Sequence, residues 1–172
     1  MNKEETEKIL NAIHENLQMA VQSLDIITKE VEDKEFLTYI TKQNEEYNNF
    51  LKECNMIAKS YDIELKNHIF EKAQLWMSLK MNTLIDKSVR KYARLIYFGT
   101  SMGIPDLIIA IADYPQAVDE ARELANRIKL AEEDYEMEIK QFIGKGKPNK
   151  DELKATQKED CKCNCGCKDD KE

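Results

Sequence analysis

Apolar residues recur three and four positions apart through most of the first 143 residues, a spacing that gathers them on one side of a helix. Between residues 3 and about 30 the stripe consists of Ile9, Leu10, Ile13, Leu17, Ala20, Val21, Leu24 and Ile27. A helix of that length extends about 40 Å at ~1.5 Å per residue, which suits a bundle better than a small mixed domain. Val31-Glu32-Asp33 predicts a short turn with Asp33 as N-cap, and a short connection makes the next helix an antiparallel neighbour. That second helix carries Phe36, Ile40, Tyr47, Leu51, Cys54 and Ala58 on one side, interrupted by Gln43, and runs to about Ser60.

Residues 61 to 67 read as a connection. A third stripe, Ile69, Ala73, Trp76, Met77, Leu84, Ser88, Tyr92 and Leu95, predicts a helix ending between Phe98 and Gly103, with Gly103 as the stop. Pro105 then opens a short connector helix through Leu107, Ile108 and Ile111. Tyr114-Pro115 closes it, because the residue before a proline avoids α geometry. From about residue 116 to 143, Ala121, Leu124, Ile128, Ala131, Tyr135, Ile139 and Phe142 predict the last long helix. The expected fold is all-α: an up-and-down four-helix bundle over residues 1–143 with a short connector helix, then a disordered C-terminal tail. In that tail, residues 144–172, Leu153 is the only large aliphatic side chain.

Composition narrows the function classes. A chain of 172 residues suits one domain, and 42% hydrophobic residues with only five Gly and three Pro favour helices over a multi-stranded β fold. The net charge of −7 argues against nucleic acid as a partner, since affinity for phosphate backbones comes from Lys and Arg. The amino terminus has no apolar leader segment, and no uncharged apolar run approaches the ~20 residues that span a bilayer. The expectation is a soluble cytoplasmic protein with no membrane partner.

The segments Lys80-Met81-Asn82-Thr83-Leu84-Ile85-Asp86-Lys87-Ser88 and Gly99-Thr100-Ser101-Met102-Gly103-Ile104-Pro105-Asp106-Leu107 resemble a family of uncharacterised small helical proteins from anaerobic Gram-positive bacteria. Residues 16–20 and Tyr114-Pro115 look similar to that family too. The resemblance covers residues 1–143 and implies a ferritin-like bundle, without implying an activity. A ferritin-like outline raises the question of a di-iron centre, which needs a Glu from each of two helices and a Glu-x-x-His pair from each of the others. His14 and His68 are the only histidines, and Asn11 and Leu65 stand three residues before them. No di-iron centre is therefore expected. Glu132 and Glu133, adjacent acids on a helix, read as a solvated face.

Other candidates have ordinary readings. His14 flanks the first stripe and reads as a packed or half-exposed residue, and His68 with Glu64 reads as a helix cap or surface pair. Asn82, Asp86 and Arg90 share one helix face, where Asp86 becomes a site candidate only if that face turns inward. Cys54 reads as a buried free thiol, and Met77 and Met81 as core. No glycine-rich phosphate loop is present, and no Ser or Cys sits in a nucleophile motif. The expectation is a protein that is not an enzyme, with Asp86, Glu133, His14 and His68 as the residues whose convergence in one pocket would overturn it.

The strong local signal is Cys161-Lys162-Cys163-Asn164-Cys165-Gly166-Cys167, which holds four of the five cysteines. Thiolates this close bind soft or borderline ions such as Zn(II) or Cu(I), and the segment resembles a short stretch of metallothionein. One-residue spacers fit a tetrahedral zinc site less well than two-residue spacers, although Asn164 and Gly166 ease tight winding. The sequence therefore favours a non-catalytic soluble bundle protein that binds or buffers a soft metal ion through Cys161, Cys163, Cys165 and Cys167. The bundle would act as carrier and as the platform for a homodimer. The alternative is a structural or assembly protein whose bundle surface mediates oligomerisation or docking, with the tail as a docking or crosslinking peptide.

Overall fold

The computed structural model describes residues 2–66 and 88–144, which form four helices and no strands. In α1 (Lys3–Thr28) the Asn2 side chain accepts hydrogen bonds from the backbone N–H groups of Glu4 and Glu5. In α2 (Lys34–Ser60) Asp33 accepts the Phe36 N–H at 2.8 Å, so the expected turn and cap are both present. The remaining helices are α3 (Val89–Asp113) and α4 (Asp119–Gly144). The stripes of α1, α2 and α4 form the core as the spacing predicts: Ile9, Leu10, Ile13, Leu17, Phe36, Ile40, Tyr47, Leu124, Ile128 and Ile139 are all buried.

Expectations for the third stretch fail at two places. Ser88 has extended geometry (φ −76°, ψ 150°), so the helix begins afresh at Val89 rather than running through from residue 69. Residues 67–87, including the expected beginning of that helix, lie outside the described residues. At the other end, α3 does not stop at Gly103, and no separate connector helix starts at Pro105. One helix of 25 residues continues to Asp113 with Pro105 inside it. Pro105 cannot donate to the Ser101 carbonyl, a loss of about 3 kcal/mol in an unsupported helix interior. Packing of Ile104, Leu107 and Ala110 into the core offsets that loss, all three being buried.

Contacts between helices set their directions. Cys54 meets the Leu10 carbonyl and Asn44 meets Asp25, so α2 is antiparallel to α1. Asn2 bonds to Gln116 and Asn16 faces Gly103, so α3 is antiparallel to α1 as well. Arg127 pairs with Glu53 and Phe142 packs on Phe36, so α4 is antiparallel to α2. The described helices therefore run up, down, down, up, and strict alternation does not hold. The start of α1 is tied to the turn between α3 and α4: Glu5 accepts the Gln116 N–H at 2.7 Å, and Thr6 accepts the Val118 N–H at 3.1 Å.

Candidate functional site

The 3-4 spacing of core positions is unbroken on all four helices, but one layer is filled differently from the rest. Along α4 the inward positions are Ala121, Ala125, Ile128, Glu132, Tyr135, Ile139 and Phe142. Along α3 they are Ala93, Ile96, Thr100, Gly103, Leu107 and Ala110, and along α2 Phe36, Ile40, Gln43, Tyr47 and Cys54. On α1 the matching residue is Ala20, between Leu17 and Leu24. Ala20, Gln43, Thr100, Gly103 and Glu132 thus meet where large aliphatic side chains would close the core. They line a cavity of about 330 Å³ between α1 and α3, within the lower range of small-molecule pockets.

Glu132 is 2% exposed, in effect a core residue. The Asn16 side chain hydrogen-bonds its carboxyl group, and Oε2 has no hydrogen-bond partner among the described residues. Burial raises its pKa from the ordinary 4.5 to about 8; Asn16 opposes that rise and the nearby charge of Asp106 adds to it. At neutral pH the group is therefore mostly a neutral acid, which is how an unpaired carboxyl tolerates such a place. Gln43 lies on the same wall, 1% exposed; its amide donates to the Tyr47 hydroxyl at 3.0 Å while its Oε1 has no partner among the described residues. Tyr47 is itself buried, and its hydroxyl is held far above the ordinary tyrosine pKa by that burial and by Glu132.

Gly103 explains how α1 and α3 come so close at this layer. A Cβ there would lie 2.5 Å from Asn16 Nδ2 and 3.0 Å from Glu132 Oε2. The glycine that reads as a helix stop is helical, and its lack of a side chain makes room for the Asn16–Glu132 pair. Much of the remaining cavity wall is apolar, with Leu24 and Ile27 from α1 and Leu95 and Ile96 from α3. Every charged side chain on the described wall is acidic: Glu15, Asp106 and Glu132.

The residues singled out from the sequence mostly lie elsewhere. His14 is buried, with Nε2 3.2 Å from the Gln18 amide nitrogen, and burial holds its pKa below 6.5 against an opposing effect of the Lys66 backbone. Glu133 points outward and pairs with Lys129 at 3.8 Å. Neither lines the cavity. Cys54 is buried as expected, its Sγ 3.6 Å from the Leu10 carbonyl and its thiol pushed up to about 12 by burial. Arg90 is half-buried at the start of α3. His68, Met77, Met81, Asn82 and Asp86, and the metal candidates Cys161, Cys163, Cys165 and Cys167, lie outside the described residues. Among the described residues no group of three or more His, Cys, Asp or Glu could hold a metal ion.

Reading Glu132 as a solvated acid was wrong, and the spacing shows why. Glu132 follows Ile128 by four and precedes Tyr135 by three, so it occupies the core position that Ala131 does not. Gln43 stands in the same relation to Ile40 and Tyr47.

α3 is also long and apolar enough to cross a membrane by length and composition alone: an 18-residue window has mean hydropathy 1.6, and 33% of it is buried. Its outer side exposes Phe98, Met102 and Ile109. No protein-family model, no curated protein and no solved structure matches this chain.

Proposed function

We propose that the protein is a non-catalytic binding protein whose helical bundle holds a small, largely apolar molecule in the cavity between α1 and α3. The observation that carries this reading is Glu132 Oε2, buried and without a partner among the described residues, on the wall of a largely apolar cavity. An empty layer and an unpaired buried carboxyl both lower stability, and a ligand that fills the one and pairs with the other offsets both. The end of α2 and the start of α3 lie at opposite ends of the bundle, which matches the single long crossover of ferritin-like bundles, and we place the fold there. This architecture hosts many unrelated roles, so the site carries the argument rather than the fold.

Titration with 1-hexanol, followed by amide NMR shifts, tests the reading. Saturable shifts are expected at Ala20, Gly99 and Gly103, and they are lost in Ala20→Phe, which fills the cavity. Absence of saturable shifts in the wild type would overturn it.

The cysteine cluster supports a second role, in which Cys161, Cys163, Cys165 and Cys167 bind Zn(II) or Cu(I) and the bundle acts as carrier. Elemental mass spectrometry on anaerobically purified protein, with and without the residues after Gly144, tests it: about one metal ion per chain, lost with the tail, is the expected result. The exposed Phe98, Met102 and Ile109 of α3 support self-association as the alternative, read by the concentration dependence of sedimentation.

A further inference from the structure

We infer that the ligand is an organic monocation, an amine whose ammonium group meets Glu132 and whose apolar body lies between α1 and α3. This inference rests on the binding reading above and adds the charge of the ligand. Two observations carry it. The described wall holds three carboxyl groups, from Glu15, Asp106 and Glu132, and no Lys, Arg or His. Two buried polar atoms of that wall lack partners: Gln43 Oε1, an acceptor, and Glu132 Oε2, which becomes an acceptor with a negative charge once the carboxyl group gives up its proton, so the site takes donors and positive charge. An ammonium group supplies three N–H donors and a compact charge. An alcohol supplies one donor and no charge, and a carboxylate would bring a further acid into a space that already holds three.

A bare divalent ion fits less well. Calcium or magnesium needs oxygens on all sides, whereas Leu24, Ile27, Leu95 and Ile96 supply none over most of the surface. Those side chains require a carbon skeleton, and about 330 Å³ accommodates a short one.

Binding is coupled to a proton. Glu132 holds a proton up to about pH 8 because burial disfavours its charge, with Asp106 adding to the effect. The titratable groups that share its wall are Glu15 on α1, Tyr47 on α2 and Asp106 on α3, and none of them is a cation. An arriving ammonium ion offsets both causes of the raised pKa, because its positive charge stabilises the carboxylate that burial and Asp106 disfavour. The Glu132 O–H bond then breaks, its proton goes to solvent, and the carboxylate pairs with the ammonium group. Amine affinity therefore rises with pH, by up to about tenfold per pH unit, until Glu132 ionises unaided at about pH 8. Alcohol affinity stays level across the same range.

Calorimetric titration of the full chain with n-hexylammonium, 1-hexanol and hexanoate, at pH 6.5 and 8.5, tests the inference. The expected result at pH 8.5 is hexylammonium bound at least about tenfold more tightly than hexanol, and hexanoate not bound. At pH 6.5, titrations in two buffers of different ionisation enthalpy should show release of about one proton per amine. Glu132→Gln should weaken amine binding at least about tenfold and abolish proton release. The wild-type proton count decides the matter on its own if that variant does not fold. Equal binding of amine and alcohol, or amine binding without proton release, overturns the charge assignment and leaves the cavity reading standing. Failure of all three compounds to bind overturns both.

Discussion

One end and the middle of the bundle behave differently although their spacing is the same. Where the start of α2 meets the end of α4, Phe36, Tyr39 and Phe142 pack ring on ring, with centroid separations of 5.0 Å for Phe36–Phe142 and 5.1 Å for Tyr39–Phe142. Polar atoms there are satisfied as well: the Tyr39 hydroxyl donates to the Tyr135 carbonyl at 3.2 Å, and the Tyr135 hydroxyl to Glu46. One turn further along α4, Glu132 leaves an acceptor unpaired and the layer around it is hollow. The same 3-4 pattern thus builds a filled end and an open layer, and only the size and polarity of the side chains differ. A bundle selected for stability alone would fill both, and so the open layer is where function should be sought.

The largest expected effect comes from breaking the filled end. Phe142→Ala removes a ring that touches both Phe36 and Tyr39, and should lower unfolding free energy by about 3–5 kcal/mol, read as an earlier urea midpoint.

Next in size is the pH dependence that Glu132 imposes on the open layer. Its pKa is about 8 in the folded chain against an ordinary 4.5, so between those values the folded state keeps a proton that the unfolded state has lost. Its contribution to stability is fully present below about pH 4.5 and falls away as pH rises to about 8, by an amount on the order of 4 kcal/mol. Glu132→Gln should remove that fall, so that the variant outlasts the wild type in urea at pH 9. A wild-type curve with the same slope as the variant would show that Glu132 ionises normally.

Enlarging alanines compares the regions directly. Ala125, fully buried on α4, has no room, and Ala125→Leu should lower stability by about 1–3 kcal/mol. Ala20 borders the cavity, so Ala20→Leu should be tolerated to within about 0.5 kcal/mol while weakening ligand binding. Equal losses in thermal melts of the two variants would mean that the layer is closed.

The smallest effect at the filled end belongs to a single hydrogen bond. Tyr39→Phe leaves the ring contacts and removes the donor to the Tyr135 carbonyl, for a loss of about 1 kcal/mol in the urea midpoint analysis.

Much of this architecture was legible as spacing. The stripes of α1, α2 and α4, the Asp33 cap and the burial of Cys54 all follow from local rules, because helix periodicity and capping depend on neighbours within a few residues. Gly103 and Pro105 misled for the same reason. As local signals Gly103 ends a helix and Pro105 opens one, yet in α3 both lie inside a single helix, supported by a neighbour helix that no local rule can see.

The site was harder to read. Glu132 and Gln43 were visible as polar residues on apolar stripes, but a polar residue at a core position acquires meaning only when the facing residues are known. What the sequence determined alone was the set of inward positions and the near-absence of helix breakers over most of the bundle. Only the tertiary structure decided that Ala20, Gln43, Thr100, Gly103 and Glu132 share one layer, because that depends on how far each helix slides along its neighbour. Register between helices comes from packing summed over many residue pairs, whereas periodicity along each helix comes from the backbone itself.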